Sequence, residues 1–101
     1  MTSSRVDMEI PNAEGVSVTD DTLSVELSDG RSVSVPLTWF PRLLHGTAIE
    51  RERWRLIGRG EGIRWEALDE DISVESLLAG KPSGESQESL KEWLEKRKAA
   101  N

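Results

Sequence analysis

Two short runs of alternating apolar residues, separated by Asp29-Gly30, constrain the fold of this chain more than any other feature. Leu23, Val25 and Leu27 alternate with Ser24 and Glu26, and Val33 and Val35 alternate with Ser32 and Ser34. Successive side chains on a strand point to opposite faces, so each run has one apolar and one polar face. The glycine-bearing break between them makes the pair a β-hairpin over residues 22–35. Parity then selects the loop. A two-residue Asp-Gly turn would set Leu27 opposite Ser32 and send the two apolar sets to different faces, because a slip of one residue inverts a strand. A three-residue loop of Ser28, Asp29 and Gly30, with Gly30 left-handed in a bulge, sets Val25 opposite Val33 and Leu23 opposite Val35. Val16 and Val18 offer a further strand over residues 16–19, while residues 1–15, polar and carrying Pro11 and Gly15, read as a loose N-terminal arm or an edge strand.

With 101 residues and 36% apolar content, the chain suffices for one domain with a single core and falls short of two. It has no cysteine, which removes a disulfide framework, thiolate zinc sites, iron–sulfur clusters and a cysteine nucleophile together. No run approaches the roughly 18 consecutive apolar residues of a membrane span, and MTSSRVDMEI lacks the apolar centre of a signal peptide. The expected compartment is the cytoplasm, with no membrane partner.

Beyond the hairpin, Pro36 cannot donate to a ladder and ends the second strand. Thr38 is placed to cap a short helix over residues 39–45, with Phe40, Leu43 and Leu44 on one face, Pro41 in its first turn and Gly46 as a left-handed stop. Thr47-Ala48-Ile49-Glu50 has the spacing of a capping box and opens a helix over residues 48–53. Trp54–Ile57, the glycine-rich stretch 58–62 and Ile63–Trp65 read as a second hairpin over residues 54–66, with Trp54, Leu56, Ile63 and Trp65 on a common face; a helix continuing through Ile57 is the alternative. Leu68-Asp69-Glu70-Asp71-Ile72 reads as an acidic turn, and Ser73 caps a helix over residues 74–79 with Leu77 and Leu78 buried and Gly80 closing it. These elements form an α+β domain over residues 16–80 around a small antiparallel sheet, with Trp39, Trp54 and Trp65 in one shared core. KPSGE supplies a linker over residues 81–86, followed by an amphipathic helix over residues 87–99, whose apolar face carries Leu90, Trp93 and Leu94. An isolated helix of that length is marginal in water, so it must dock on its own domain, a second copy or a partner.

The formal net charge is -6, which argues against general nucleic-acid binding. Its distribution is uneven. Arg42, Arg51, Arg53, Arg55, Arg59 and Arg64 crowd the middle among Glu50, Glu52 and Glu61, and acid dominates residues 1–30 and 65–89. The acidic flanks are expected to fold back on this middle. Arginine and tryptophan are also the residues enriched at binding hot spots, so Arg42, Arg53, Arg59, Arg64 and Trp93 are the candidate partner-binding residues.

Chemical motifs are weaker. Gly58-Arg59-Gly60-Glu61-Gly62 lacks the lysine of a phosphate loop and does not complete a dinucleotide fingerprint, so a hairpin turn is the better reading. Asp69, Glu70 and Asp71 are three adjacent carboxylates, yet consecutive side chains diverge and the spacing of a calcium loop is missing; bonding to turn amides or to nearby arginines accounts for them. His45, the single histidine, lies before Gly46 at a helix end, where the dipole favours a cation, and no nucleophile motif accompanies it. The tryptophans can stack on bases, but four of them, with one Phe and no Tyr, are needed to fill a core.

The hairpin LSVELSDGRSVSVPL, the segment WFPRLL and the stretch ERERWRLIGRGEGIRWEALDEDISVESLLAG together resemble the uncharacterised bacterial family catalogued as domain of unknown function 2442, over residues 16–80. The resemblance implies a small α+β fold with a curved antiparallel sheet and short helices, and no established activity. Some relatives carry a helix-turn-helix domain, for which the 21 residues after Gly80 leave no room; others look like one partner of a toxin–antitoxin pair. The family supplies no catalytic, metal-binding or cofactor-binding residues. The expected function is a non-enzymatic protein-interaction module, an antitoxin-like partner of another small protein encoded nearby, or a self-associating one. The alternatives are a transcription-related regulator that contacts nucleic acid through the central arginines, and a small metal-dependent enzyme built on Asp69, Glu70, Asp71 and His45.

Overall fold

In the computed structural model, which describes residues 9–100, the first hairpin forms in the register that parity demands. Strand β2 (Thr22–Leu27) pairs antiparallel with β3 (Ser32–Pro36), placing Val25 opposite Val33 and Leu23 opposite Val35. The Leu27 N–H donates to the Arg31 carbonyl across a loop of Ser28, Asp29 and Gly30, and Gly30 has φ +93°. A third strand, β1 (Ala13–Val18), pairs with the other side of β2. It starts three residues earlier than the expected strand over 16–19 and takes Ala13–Gly15 out of the N-terminal arm. The reason is tertiary: Ala13 is buried, and its N–H donates to the Gly60 carbonyl at 2.7 Å. The expectation for residues 1–8 lies outside the described residues.

Trp54–Ile57 is a strand, β4, and not a continuation of the preceding helix. It pairs with β5 (Gly62–Trp65), with Trp54 opposite Trp65 and Leu56 opposite Ile63, as the second hairpin requires. The acidic segment expected as a turn is largely a strand, β6 (Glu70–Ser73), which pairs with β5 so that Ile72 meets Ile63 and Asp71 meets Arg64. Burial of Ile72 and the cross-strand charge pair outweigh the poor strand propensity of its acids. The six strands thus divide into two three-stranded sheets, β1-β2-β3 and β4-β5-β6.

Short helices join them. A single 3-10 turn, Leu37–Trp39, precedes α1 (Pro41–His45), and α2 (Ala48–Glu52) follows. Thr38 does not cap α1, because that turn pulls it away; Phe40 holds the N-cap position without a side-chain bond, and Pro41 occupies the first turn, where its missing N–H costs nothing. Gly46 is not left-handed: φ is -73°. Its lack of a side chain serves packing instead, since a Cβ there would lie 2.8 Å from Leu68 Cδ1. The capping box of α2 is complete, with Glu50 N–H donating to Thr47 Oγ1 and Thr47 N–H to Glu50 Oε1. A second 3-10 turn, Glu66–Leu68, leads into β6, and α3 (Val74–Leu78) begins with Ser73 accepting from Ser76 N–H and is followed by Gly80 at φ +73°. The last element is α4 (Gln87–Ala100).

The core joins both sheets. Leu23, Val25 and Leu27 from the first meet Ile63, Trp65 and Ile72 from the second, with Leu37, Leu43, Leu68, Val74 and Leu77 closing the ends. Trp65 is fully buried, and its indole N–H donates to the Arg51 carbonyl at 3.0 Å. Trp39 and Trp54 pack against the rim of that core, half-buried. Leu44 and Leu78, both expected inside, are exposed, because these short helices turn only part of their circumference inward. No helix of the described residues is long and apolar enough to cross a membrane.

Candidate functional site

The acidic flanks do fold back on the arginine-rich middle. On the outer face of the second sheet, Arg55 of β4 sits directly opposite Arg64 of β5, a like-charge pairing that is unfavourable by itself. Glu66, just past β5, resolves it by accepting from Arg55 Nε at 2.8 Å and from Arg64 Nε at 3.1 Å. Arg64 also donates to Asp71 Oδ1 at 2.8 Å and to Asp69 Oδ1 at 3.0 Å, so three carboxylates surround one guanidinium and raise its pKa further. Asp69 reaches this position from a left-handed backbone, φ +51°, and the Arg64 hydrogen bond holds its carboxyl below the usual range. Arg55 and then Arg64 do the same for Glu66.

Asp69 also connects this cluster to a second one. Arg42 of α1 donates to the Asp69 carbonyl at 2.9 Å and, through Nε, to both oxygens of Glu85 at 2.9 Å. The bond to Arg42 depresses the Glu85 pKa, and Glu85 also accepts from Ser89 Oγ at 2.8 Å in the first turn of α4. Above the same guanidinium lies Trp93, its ring centre 5.1 Å from Arg42 Cζ and 4.7 Å from Arg97 Cζ. Arg97 in turn donates to both oxygens of Glu50 in α2, which lowers the pKa of that carboxyl. The amphipathic helix therefore docks on its own domain, through a tryptophan between two cations and an ion pair at each end.

The five candidate residues thus separate. Arg42, Arg64 and Trp93 come together around Asp69 and Glu85, whereas Arg53, at the C-cap of α2, and Arg59, in the glycine turn, are exposed and make no ion pair among the described residues. His45 is exposed at the end of α1. Asp69 and Asp71 are engaged by arginines, and among the described residues no group of three His, Asp or Glu side chains is arranged to hold a metal ion.

Two further groups stand out: Arg51, which is not among the candidate residues, and Glu70, which entered only with the metal-dependent alternative. Arg51 is buried, 8% exposed, and donates to the Leu43 and Leu44 carbonyls that end α1 and to Asp20. Nothing in its local sequence separates it from its five arginine neighbours. Glu70 is half-buried, and its Oε2 is buried without a hydrogen-bond partner among the described residues. Burial pushes its pKa up to about 7. It lines two adjoining clefts of about 210 and 330 Å³ on either side of the segment that leads to α4.

The family model described as "Protein of unknown function (DUF2442)" matches residues 13–83. The chain belongs to the DUF2442 family. The DUF2442 match takes in both sheets and α1–α3, with Arg42, Arg51, Arg64 and Glu70, and stops short of Glu85 and α4. A crystal structure of a protein of unknown function from Rhodospirillum rubrum ATCC 11170 is similar, with a TM-score of 0.66 at 23% identity, covering 78% of this chain and 98% of that one. That likeness is one of fold. No curated protein matches the chain.

Proposed function

We propose that this DUF2442 chain is a non-enzymatic protein-interaction module, the antitoxin-like partner of a small bacterial protein in the cytoplasm. The observation that carries the reading is the outer side of α2. Ile49 is 62% exposed there, and Arg53, at the C-cap of the same helix, is exposed with no ion-pair partner among the described residues. An exposed β-branched apolar side chain and an exposed guanidinium on one short helix and its cap suit a partner that offers an apolar side chain and a carboxylate. The nucleic-acid alternative has less support, because Arg42, Arg51, Arg55 and Arg64 already engage carboxylates of their own chain.

Affinity capture of the tagged chain from its native host tests this. A specific small protein should accompany the wild type and be lost with Ile49→Asp/Arg53→Glu, and that protein expressed alone should arrest growth. A captured chain that is monomeric and free of protein would overturn the reading. Salt-sensitive binding to DNA or RNA would favour the regulator instead, and a rise in melting temperature with a divalent ion would favour the metal-dependent enzyme.

A further inference from the structure

We infer that Glu70 is a proton-operated release for the C-terminal helix: neutral Glu70 leaves Arg42 to Glu85 and keeps α4 docked, and ionised Glu70 competes for Arg42 and lets α4 go. The inference is independent of the proposed interaction role. It rests on placement. Glu70 lies in β6 with Oε1 accepting only the Asp71 N–H, at 3.2 Å, and with Oε2 buried and unpartnered among the described residues. The cleft on one side of it is shared with Arg42, Glu85 and Ser89, the groups that fasten the start of α4. The cleft on the other side is shared with Phe40, Lys81 and Ser83, whose N–H donates to the Trp39 carbonyl. A carboxyl in that position cannot ionise without consequence for its neighbours.

The charged groups around Glu70 come from every adjoining element: Arg42 of α1, Arg64 of β5, Asp69 and Asp71 beside it, and Lys81 and Glu85 of the segment before α4. Desolvation disfavours the Glu70 anion most strongly, Arg42 favours it, and Glu85 and Asp71 oppose it. A charge appearing on Glu70 therefore attracts Arg42 and repels Glu85, and both effects weaken the pair that holds Ser89 and, through the Arg42 stack, Trp93. The sign follows directly. Docking binds the proton, so α4 is held below the docked-state pKa and is released as pH rises through it. With the Glu70 pKa at about 7 when α4 is docked and its ordinary value at 4.5, linkage sets a ceiling of roughly tenfold on the rise in the opening equilibrium between pH 6 and pH 8.

The experiment follows, by NMR, the Glu70 side-chain carboxyl, the Trp93 indole and the hydrogen-exchange protection of α4 amides from pH 5 to pH 9 in the full chain. All samples carry His45→Gln, which removes the single imidazole of the chain. The Glu70 carboxyl, the Trp93 indole and the α4 protection factors should share one midpoint near neutrality. In Glu70→Gln, α4 should stay docked and the rise in opening between pH 6 and pH 8, up to about tenfold in the parent, should vanish; Glu70→Met, which fills the same space without a titrating group, should behave likewise. A Trp93 indole that titrates equally in these variants would overturn the inference. So would a Glu70 carboxyl that titrates while Trp93 and α4 do not respond, or one that titrates in the ordinary carboxylate range.

Discussion

The Arg42 guanidinium lies 5.1 Å from the centre of the Trp93 ring while its Nε bonds both oxygens of Glu85, so one side chain of α1 holds both the approach to α4 and its middle. Trp93 is half-buried and packs against the core, and the other apolar residues of its stripe, Leu90 and Leu94, are also only half-buried. Truncation of Trp93 should therefore release the helix without unfolding the domain. Trp93→Ala is expected to abolish exchange protection over residues 87–100, leave the sheets protected, and weaken docking by about 1–2 kcal/mol.

Gly60 is fixed by its neighbours as well as its dihedral. At φ +104°, a Cβ on it would lie 2.5 Å from the Ala13 carbonyl oxygen, in backbone that cannot step aside. Gly60→Ala is expected to cost about 2–3 kcal/mol in urea unfolding, because left-handed strain adds to the clash. Gly30→Ala has a similar φ and open space around it, so its cost should be nearer 1 kcal/mol.

Buried Arg51 closes the C-terminal end of α1 by donating to the Leu43 carbonyl, which also accepts the Gly46 N–H, and to the Leu44 carbonyl. Arg51→Met should lower stability by about 1–2 kcal/mol, since the Leu44 carbonyl loses its guanidinium donor while Leu43 keeps only the Gly46 N–H. Arg51→Lys should recover little, because an ammonium does not reproduce the guanidinium fork. Its partner Asp20 is fully exposed, so Asp20→Ala should change the unfolding midpoint hardly at all.

Stability should pass through a maximum in mildly acidic solution. Glu50, Glu85 and Asp69 have folded-state pKa values below the ordinary carboxylate range, so their contribution is present above that range and lost as pH falls through it. Glu70 acts in the opposite sense: its contribution is present below 4.5 and lost as pH rises to about 7. Urea midpoints measured at half-unit intervals should peak at about pH 5. In Glu70→Gln the decline on the alkaline side should flatten while the acid side stays.

Much of the local architecture was legible in the chain because it depends on near neighbours. The register of β2 and β3 follows from a period of two and one loop parity, and the α2 capping box from Thr47 and Glu50 three residues apart. Strand β6 escaped notice because its single apolar residue, Ile72, offers no alternation, and its place is set by pairing with β5. Gly46 escaped for a related reason: Leu68, which requires it, is 22 residues away in the sequence. The candidate cations were legible as a group, since composition shows an arginine-rich middle. Which of them would be buried, paired or exposed was not.

The sequence by itself determined one domain built from two hairpins, short capped helices and a final amphipathic helix, because turn parity, capping and apolar period act within a few residues. Only the tertiary structure decided that the strands form two sheets, that α4 lies on its own domain with Trp93 against Arg42 and Arg97 paired with Glu50, and that Glu70 is left with an oxygen unpartnered among the described residues. Burial and charge pairing depend on which distant segments meet, and residues such as Arg51 and Arg53, two positions apart and alike in kind, acquire opposite environments only when the chain closes around one of them.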